Sequence, residues 1–372
     1  MKKLLSIFFA FTLAFNLNAQ VGGPTTYRFL EIPMPARAAA LGGNSMSIWG
    51  DDINLSYSNP ALLNERCVKQ ISLNYCNYIA DMNFGNAAYA HHFKNIGTLG
   101  GGIQFFDYGK FDKRDEYDVK EGSFKAADYS FNLTFARRLK DTCFSFGATL
   151  KTIYSHYDVY RSFGNALDFG ITWAHKSGFT ASAVVKNVGK IWKAYDPAND
   201  TIKLPLVTQL GISYKVKKAP FRLIFIYDGL RKKDWDRTYT SPIAEPESSN
   251  IFGEEKPKEK TKWQKFSDKV KSGGDKFARH MTFAAEVIIT KNFNLRIGYN
   301  YRLHKEMMLP DKRTASGLSF GFGFKINRFG ISYAFTKYNI TGTSNIFGIT
   351  THLGAYTKKV KTPAAESNTP AN

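Results

Sequence analysis

The sequence predicts an all-β protein, a closed antiparallel outer-membrane β-barrel of about 14 strands with an N-terminal plug. Three observations predict it. From about Val68 onward, large apolar residues alternate with small or polar ones at period two, in runs of about ten residues, the length of a tilted membrane strand. The connections between runs sort by parity, tight after even-numbered runs and mostly long after odd-numbered ones. The composition, with 31 Phe, 20 Tyr and 30 Gly in 372 residues, suits strands with an apolar outer face, interfacial aromatics and small inward positions.

In chain order, residues 1–19 read as a secretory signal peptide: Lys2 and Lys3 form a basic start, Leu4 to Phe15 an apolar run too short to span as a helix, and Ala19 a small residue at the cut. Residues 20–66 are expected to form the plug (hatch). Pro33 and Pro35 break any strand there, Ala36 to Leu41 form a short helix, and Gly42 with Gly43 end it. Ser58-Asn59-Pro60-Ala61 reads as a turn into a second short helix, with Ser or Asn as cap and Pro at the first helical position. The plug motif comprises Arg37, Gly42, Gly43, Asp51, Asp52, Asn59 and Pro60.

Residues 67–357 are expected to form the barrel, with runs starting near Lys69, Asn83, Ile96, Ser123, Asp141, Ser162, Gly178, Leu204, Pro220, Arg279, Phe293, Thr314, Arg328 and Asn345. Asn294 to Leu303 shows the pattern well: Leu295, Ile297, Tyr299, Tyr301 and Leu303 share one face, and Arg296, Gly298, Asn300 and Arg302 lie on the other. Long connections are expected at 107–122, 187–203, 230–278 and 304–313. Short turns belong to the periplasmic side and long loops to the extracellular side, and an even strand number puts both termini in the periplasm. The extracellular insertion 230–278 carries Trp235 and an amphipathic helix signal, Trp263, Phe266 and Val270 among many Lys. That helix could cap its own barrel, lie at the lipid surface or dock a partner. Residues 358–372 read as a disordered periplasmic tail.

Lys151, Glu286, Arg296 and Arg302 are expected to face the lumen, some of the basic ones holding the plug's Asp51 and Asp52. Gly100, Gly101 and Gly102 in the third run mark either close plug packing or a kink in the wall that opens sideways for an apolar ligand. Cys67, Cys76 and Cys143 indicate neither a disulfide framework nor a metal site, and His91 and His92 point to opposite faces of one strand. The sequence has no GxSxG, HExxH, P-loop or CxxC pattern, so no enzyme, metal or cofactor is expected. The net charge of +20 is either solvated surface or attraction to a polyanion; with no nucleic-acid motif to match it, the polyanion nearest an outer membrane is lipopolysaccharide.

RAAALGG from Arg37, the acidic pair and NPALL from Asn59 resemble the plug of the FadL-like family of fourteen-stranded outer-membrane barrels, which includes long-chain fatty-acid transporters. YRFLEIPMPARAAALGGNSMSIW, NPALLN, QISLNYCNYIADMNFGNAAYAHHF, GGIQFFDYGKF and VVKNVG resemble more narrowly the PorQ-like barrels of the type IX secretion system of Bacteroidota. That resemblance covers most of residues 22–230, runs more loosely to about 356, and leaves the insertion and the tail unmatched. It implies a non-enzymatic role: anchoring a PorZ-like surface protein in a cargo-attachment complex with a PorU-like sortase and a PorV-like barrel. The wider family implies the alternative, an uptake channel for hydrophobic compounds.

Overall fold

A computed structural model describes residues 25–139, 143–195, 202–230, 274–307, 315–337 and 342–353. Its strands are β1 (Gln70–Asn77), β2 (Asn83–Phe93), β3 (Gly97–Arg114), β4 (Lys120–Arg138), β5 (Phe144–Tyr157), β6 (Tyr160–Ala174), β7 (Phe179–Lys193), β8 (Val207–Lys215), β9 (Phe221–Asp228), β10 (Met281–Ile288), β11 (Phe293–Asn300), β12 (Leu318–Ile326), β13 (Phe329–Thr336) and β14 (Ser344–His352). Each pairs antiparallel with its sequence neighbours, and β14 pairs with β1 from Gln70↔His352 to Asn77↔Asn345, which closes the barrel. Every strand begins within about four residues of where the alternation begins.

The alternation is inside out relative to a water-soluble protein. In β1, Leu73 and Tyr75 are about half exposed while the alternating Ser72 and Asn74 are buried. The same holds in β4, where Phe131, Leu133 and Phe135 point outward and Ser130, Asn132 and Thr134 inward. On β5 the outward face runs from Phe144 to Tyr154, about 25 Å of apolar height at ordinary rise and tilt. A closed sheet leaves no backbone edge unpaired in lipid. The chain is therefore an outer-membrane barrel of transmembrane strands.

Three stretches differ from the sequence reading. Residues 107–122 are mostly strand: β3 and β4 run 18 and 19 residues, with register shifts between Asp107 and Lys110 and between Lys113 and Arg114. Gly109 sits at φ 84 in the first shift, and a bulge there switches face parity and hides the period-two signal. Likewise β7 continues to Lys193 past a shift at Asn187, which has φ 62. In the opposite sense, β11 stops at Asn300, whose side chain accepts from the Leu303 N–H at 3.1 Å and starts helix α2 (Tyr301–Glu306).

The segment from Tyr27 to Cys67 packs inside the barrel. It holds α1 (Ala36–Ala40) and short 3-10 turns at Ile53–Tyr57, Pro60–Leu62 and Glu65–Cys67. Its apolar side chains, among them Phe29, Met34, Leu41, Met46, Ile48, Leu55 and Leu62, are almost fully buried. They pack against inward residues such as Phe84, Ile153, Val184, Ile224 and Ile226. Where the plug backbone comes closest, the wall carries glycine. A Cβ on Gly298 would run into Leu41 and Gly42, and one on Gly147 would lie 2.5 Å from the Ala61 nitrogen.

At Gly100, Gly101 and Gly102 the ladders to β2 and β4 are unbroken, with no bulge or register shift there. Gly100 faces Leu63 and Gly102 faces Tyr57, both from the plug, while Gly101 points outward into open space. Trp235, Trp263, Phe266 and Val270 lie outside the described residues, as do residues 1–24 and 354–372. Of the insertion, 274–278 is seen as a helical turn.

Candidate functional site

Two features occupy the lumen, the contact between plug and wall and a cavity on the loop side of it. The contact centres on Glu286 of β10. Its carboxylate accepts from Arg37 of α1 at 3.0 Å, from Arg222 of β9 at 2.5 Å and from Arg296 of β11 at 3.1 Å. Antiparallel register puts Arg222 and Arg296 directly opposite Glu286 on its two flanking strands. Arg37 also reaches Asp52 at 3.3 Å, so one guanidinium ties the wall to two parts of the plug. Burial disfavours the charge on Arg37, but Glu286 and Asp52 more than offset it and hold the group above its ordinary value.

This reverses the expected polarity of the lock. Basic wall residues were expected to hold Asp51 and Asp52. Instead an acidic wall residue holds the plug's basic Arg37, and Asp52 pairs within the plug. Asp51 is exposed, and its backbone carbonyl accepts from Gln70 of β1. Lys151 does face the lumen, but it pairs with Asp168 of β6 at 2.7 Å and donates to Asn187 of β7 at 2.8 Å. Arg302 is not on a strand: it lies in α2, half exposed, 3.8 Å from Glu306. The lysine that touches the plug is Lys186, donating to the Tyr57 carbonyl at 2.9 Å. Arg222 was legible from parity with Ile224 and Ile226; the bulge at Asn187 hid the face of Lys186.

The other motif residues shape the plug backbone, and Asn59 also reaches the wall. Gly42 and Gly43, at φ 77 and 97, turn the chain out of α1. Asn59 caps the Pro60–Leu62 turn, accepting from the Ala61 N–H at 2.9 Å and donating to the Met46 carbonyl at 3.0 Å and the Thr172 hydroxyl at 2.9 Å. Tyr57 donates to the Ala87 carbonyl of β2 at 2.7 Å, and burial pushes its hydroxyl above the ordinary range. Burial also pushes the Cys67 thiol up to about 12, which leaves it unreactive.

The cavity, about 640 Å³, lies between plug residues Arg28 to Pro33 and the loop ends of several strands. One side is aromatic, with Phe84 and Phe106 stacked at 5.6 Å and Tyr108 beyond them. The other carries Lys151, Lys186, Asp228, His280, Arg302 and Glu306. Behind the aromatics, Asp128 is buried and accepts from Tyr108 at 2.8 Å and Tyr157 at 3.0 Å. Towards the wall at Gly100 and Gly102 there is a second gap of about 20 Å³, room for one water. Among the described residues no group of three His, Cys, Asp or Glu is placed to hold a metal.

No family model and no curated protein matches the sequence. Among solved structures the chain is similar to the toluene transporter TbuX of Ralstonia pickettii, with 13% identity and TM-score 0.49 over 87% of this chain and 99% of that one. It is similar to the toluene transporter TodX of Pseudomonas putida, with 11% identity and TM-score 0.48 over 89% and 98% of the two chains. It is also similar to a FadL homologue of Pseudomonas aeruginosa, with 9% identity and TM-score 0.44 over 84% and 96%. At such identities and TM-scores below 0.5, the barrel assignment rests on this chain's own strand pairing and its apolar outer face.

Proposed function

We propose that the protein is a non-enzymatic anchor: a plugged outer-membrane barrel that holds a soluble surface partner of the PorZ type within a type IX attachment complex. The observation that carries this reading is the plug-filled lumen. The plug is bonded to the wall through Glu286, Lys186 and Ala87 and seated against wall glycines, and the strand ladders at Gly100–Gly102 are unbroken. A barrel so filled offers a platform rather than a passage. The PorQ-like stretches at 27–49 and 70–93 support the same reading.

A second reading, an uptake channel for hydrophobic compounds, is favoured by the cavity of about 640 Å³ with its Phe84–Phe106 wall. TbuX and TodX, by their names toluene transporters, also speak for it. The two readings part in one experiment. Affinity purification from detergent-solubilised membranes is expected to recover a soluble surface protein in stoichiometric amount, with toluene and fatty-acid uptake unchanged by deletion. Recovery of the barrel alone, with uptake lost on deletion, would replace the anchor with the channel.

A further inference from the structure

The five tall strands β3 to β7 carry, on their outer face near the loop end, a belt of basic side chains. Lys110 of β3 stands directly opposite Lys125 of β4. His156 of β5 stands opposite Arg161 of β6. Phe163 and Asn165 of β6 stand opposite Lys193 and Lys190 of β7. Lys110, Lys125, Arg161, Lys190 and Lys193 are all exposed. Among the described residues none of these five has a carboxylate within ion-pair distance. The acids nearest them on β3 are already engaged: Asp107 accepts from the Gly109 N–H at 2.9 Å, and Asp112 pairs with Lys120 at 2.7 Å.

Like charges directly opposite on one sheet face weaken strand pairing unless an anion lies between them. Here the cations extend across neighbouring strands. Their level is also informative. On these strands most outward residues on the membrane side of this level are apolar or aromatic, among them Phe105 and Ile103, Tyr129 and Phe131, Tyr154 and Leu150, Leu167 and Phe169, Val188 and Val185; Asp107, Thr152 and Asn165 are the polar ones on that face. Trp192, 64% exposed, sits among the cations with the Lys190 ammonium 5.5 Å over its ring. Its indole N–H donates to Asn165 at 2.9 Å, the arrangement of an aromatic at a membrane interface.

We propose that this belt binds the phosphate groups of a phosphorylated glycolipid of the outer leaflet, of the lipopolysaccharide class, whose acyl chains lie on the apolar face below. Soluble polyanions match the charge but not the apolar face under it. The inference rests on the membrane placement alone, which the anchor and channel readings share.

The test uses the purified full-length barrel in detergent with defined lipid A probes. The variant K110Q/K125Q/R161Q/K190Q/K193Q is compared with a control that removes five charges at the opposite, short-turn end, K176Q/K217Q/K218Q/K291Q/R328Q. Heat-modifiable electrophoresis checks that both are folded. Wild type and control are expected to bind bisphosphorylated lipid A alike, and the belt variant about tenfold or more weaker, as five interfacial cations imply. Dephosphorylated lipid A is expected to bind wild type as weakly as the belt variant binds the bisphosphorylated probe. Equal binding by belt variant and wild type would overturn the proposal, as would indifference to dephosphorylation. Soluble polyphosphate binding as tightly as the lipid would also overturn it, in favour of a soluble partner.

Discussion

Arg37 of the plug and Glu286 of the wall, 249 positions apart in sequence, meet at 3.0 Å in the lumen. Their side chains are 12% and 2% exposed, so the pair lies where an unmatched charge is costly. Glu286→Gln leaves Arg37, Arg222 and Arg296 facing a neutral amide. It is expected to destabilise the folded barrel by ~3–5 kcal/mol, read as a lower unfolding temperature in heat-modifiable electrophoresis. Arg37→Met leaves Glu286 with two arginines and is expected to cost less, ~1.5–3 kcal/mol. Equal effects would show that Arg222 and Arg296 do not compensate Glu286 once the plug arginine is gone.

The glycines give a second prediction. Gly298→Val puts a side chain into Gly42 and is expected to prevent the plug from seating, giving little heat-resistant band. Gly101→Val, on the same kind of strand but with nothing within 4 Å of its Cβ position, is expected to fold like wild type. If both variants fold equally, close approach of the plug is not what the glycine serves.

Asn59 joins three places: its own turn, the Met46 carbonyl and Thr172 of β6. Asn59→Ala is expected to cost ~2–4 kcal/mol, a lost cap plus buried groups left without partners. The same electrophoretic series measures it, and a cost under ~1 kcal/mol would show that water replaces the amide.

A pH dependence is expected at the loop end. Asp275 accepts from Tyr301 of α2 at 2.7 Å and from Arg279 at 2.6 Å, with Lys305 at 3.7 Å. Burial raises its pKa, but these hydrogen bonds and cations outweigh burial and bring it below the ordinary 3.8. A carboxyl lowered on folding stabilises the charged form, so this contact is fully present above 3.8 and is lost as pH falls below that. Hydrogen-exchange protection in 301–307, corrected for intrinsic rates, is expected to hold from pH 7 to 4 and to fall below 3.8. In Asp275→Asn it is expected to be reduced already at pH 7.

The barrel was legible because side-chain period and loop parity are both one-dimensional signals. What broke them was local backbone geometry: the bulges at Gly109 and Asn187 switch face without changing composition, and the Asn300 cap turns a continuing alternation into a helix. The helical pieces of the plug were legible from Pro60 and Gly42, whose backbone preferences are intrinsic. The lock was half legible. Parity gave the face of Glu286 and Arg296, but not which lumen residue stands level with which plug residue, so the sign of the contact was missed. Arg302 shared their parity and ended in α2 instead. The cavity draws on residues from both ends of the sequence, which no local pattern reports.

Gln70 stands at the seam where the first and last strands meet. Its amide contacts His352 of β14 at 2.8 Å, donates to the Asp51 carbonyl and accepts from the Ile53 N–H at 3.0 Å. One side chain thus reads three things at once: the opening strand, the final strand and the filling between them. The plug backbone lies directly against wall glycines, among them Gly147 and Gly298. A cylinder closed without its filling would leave Gln70 short of two of its three bonds.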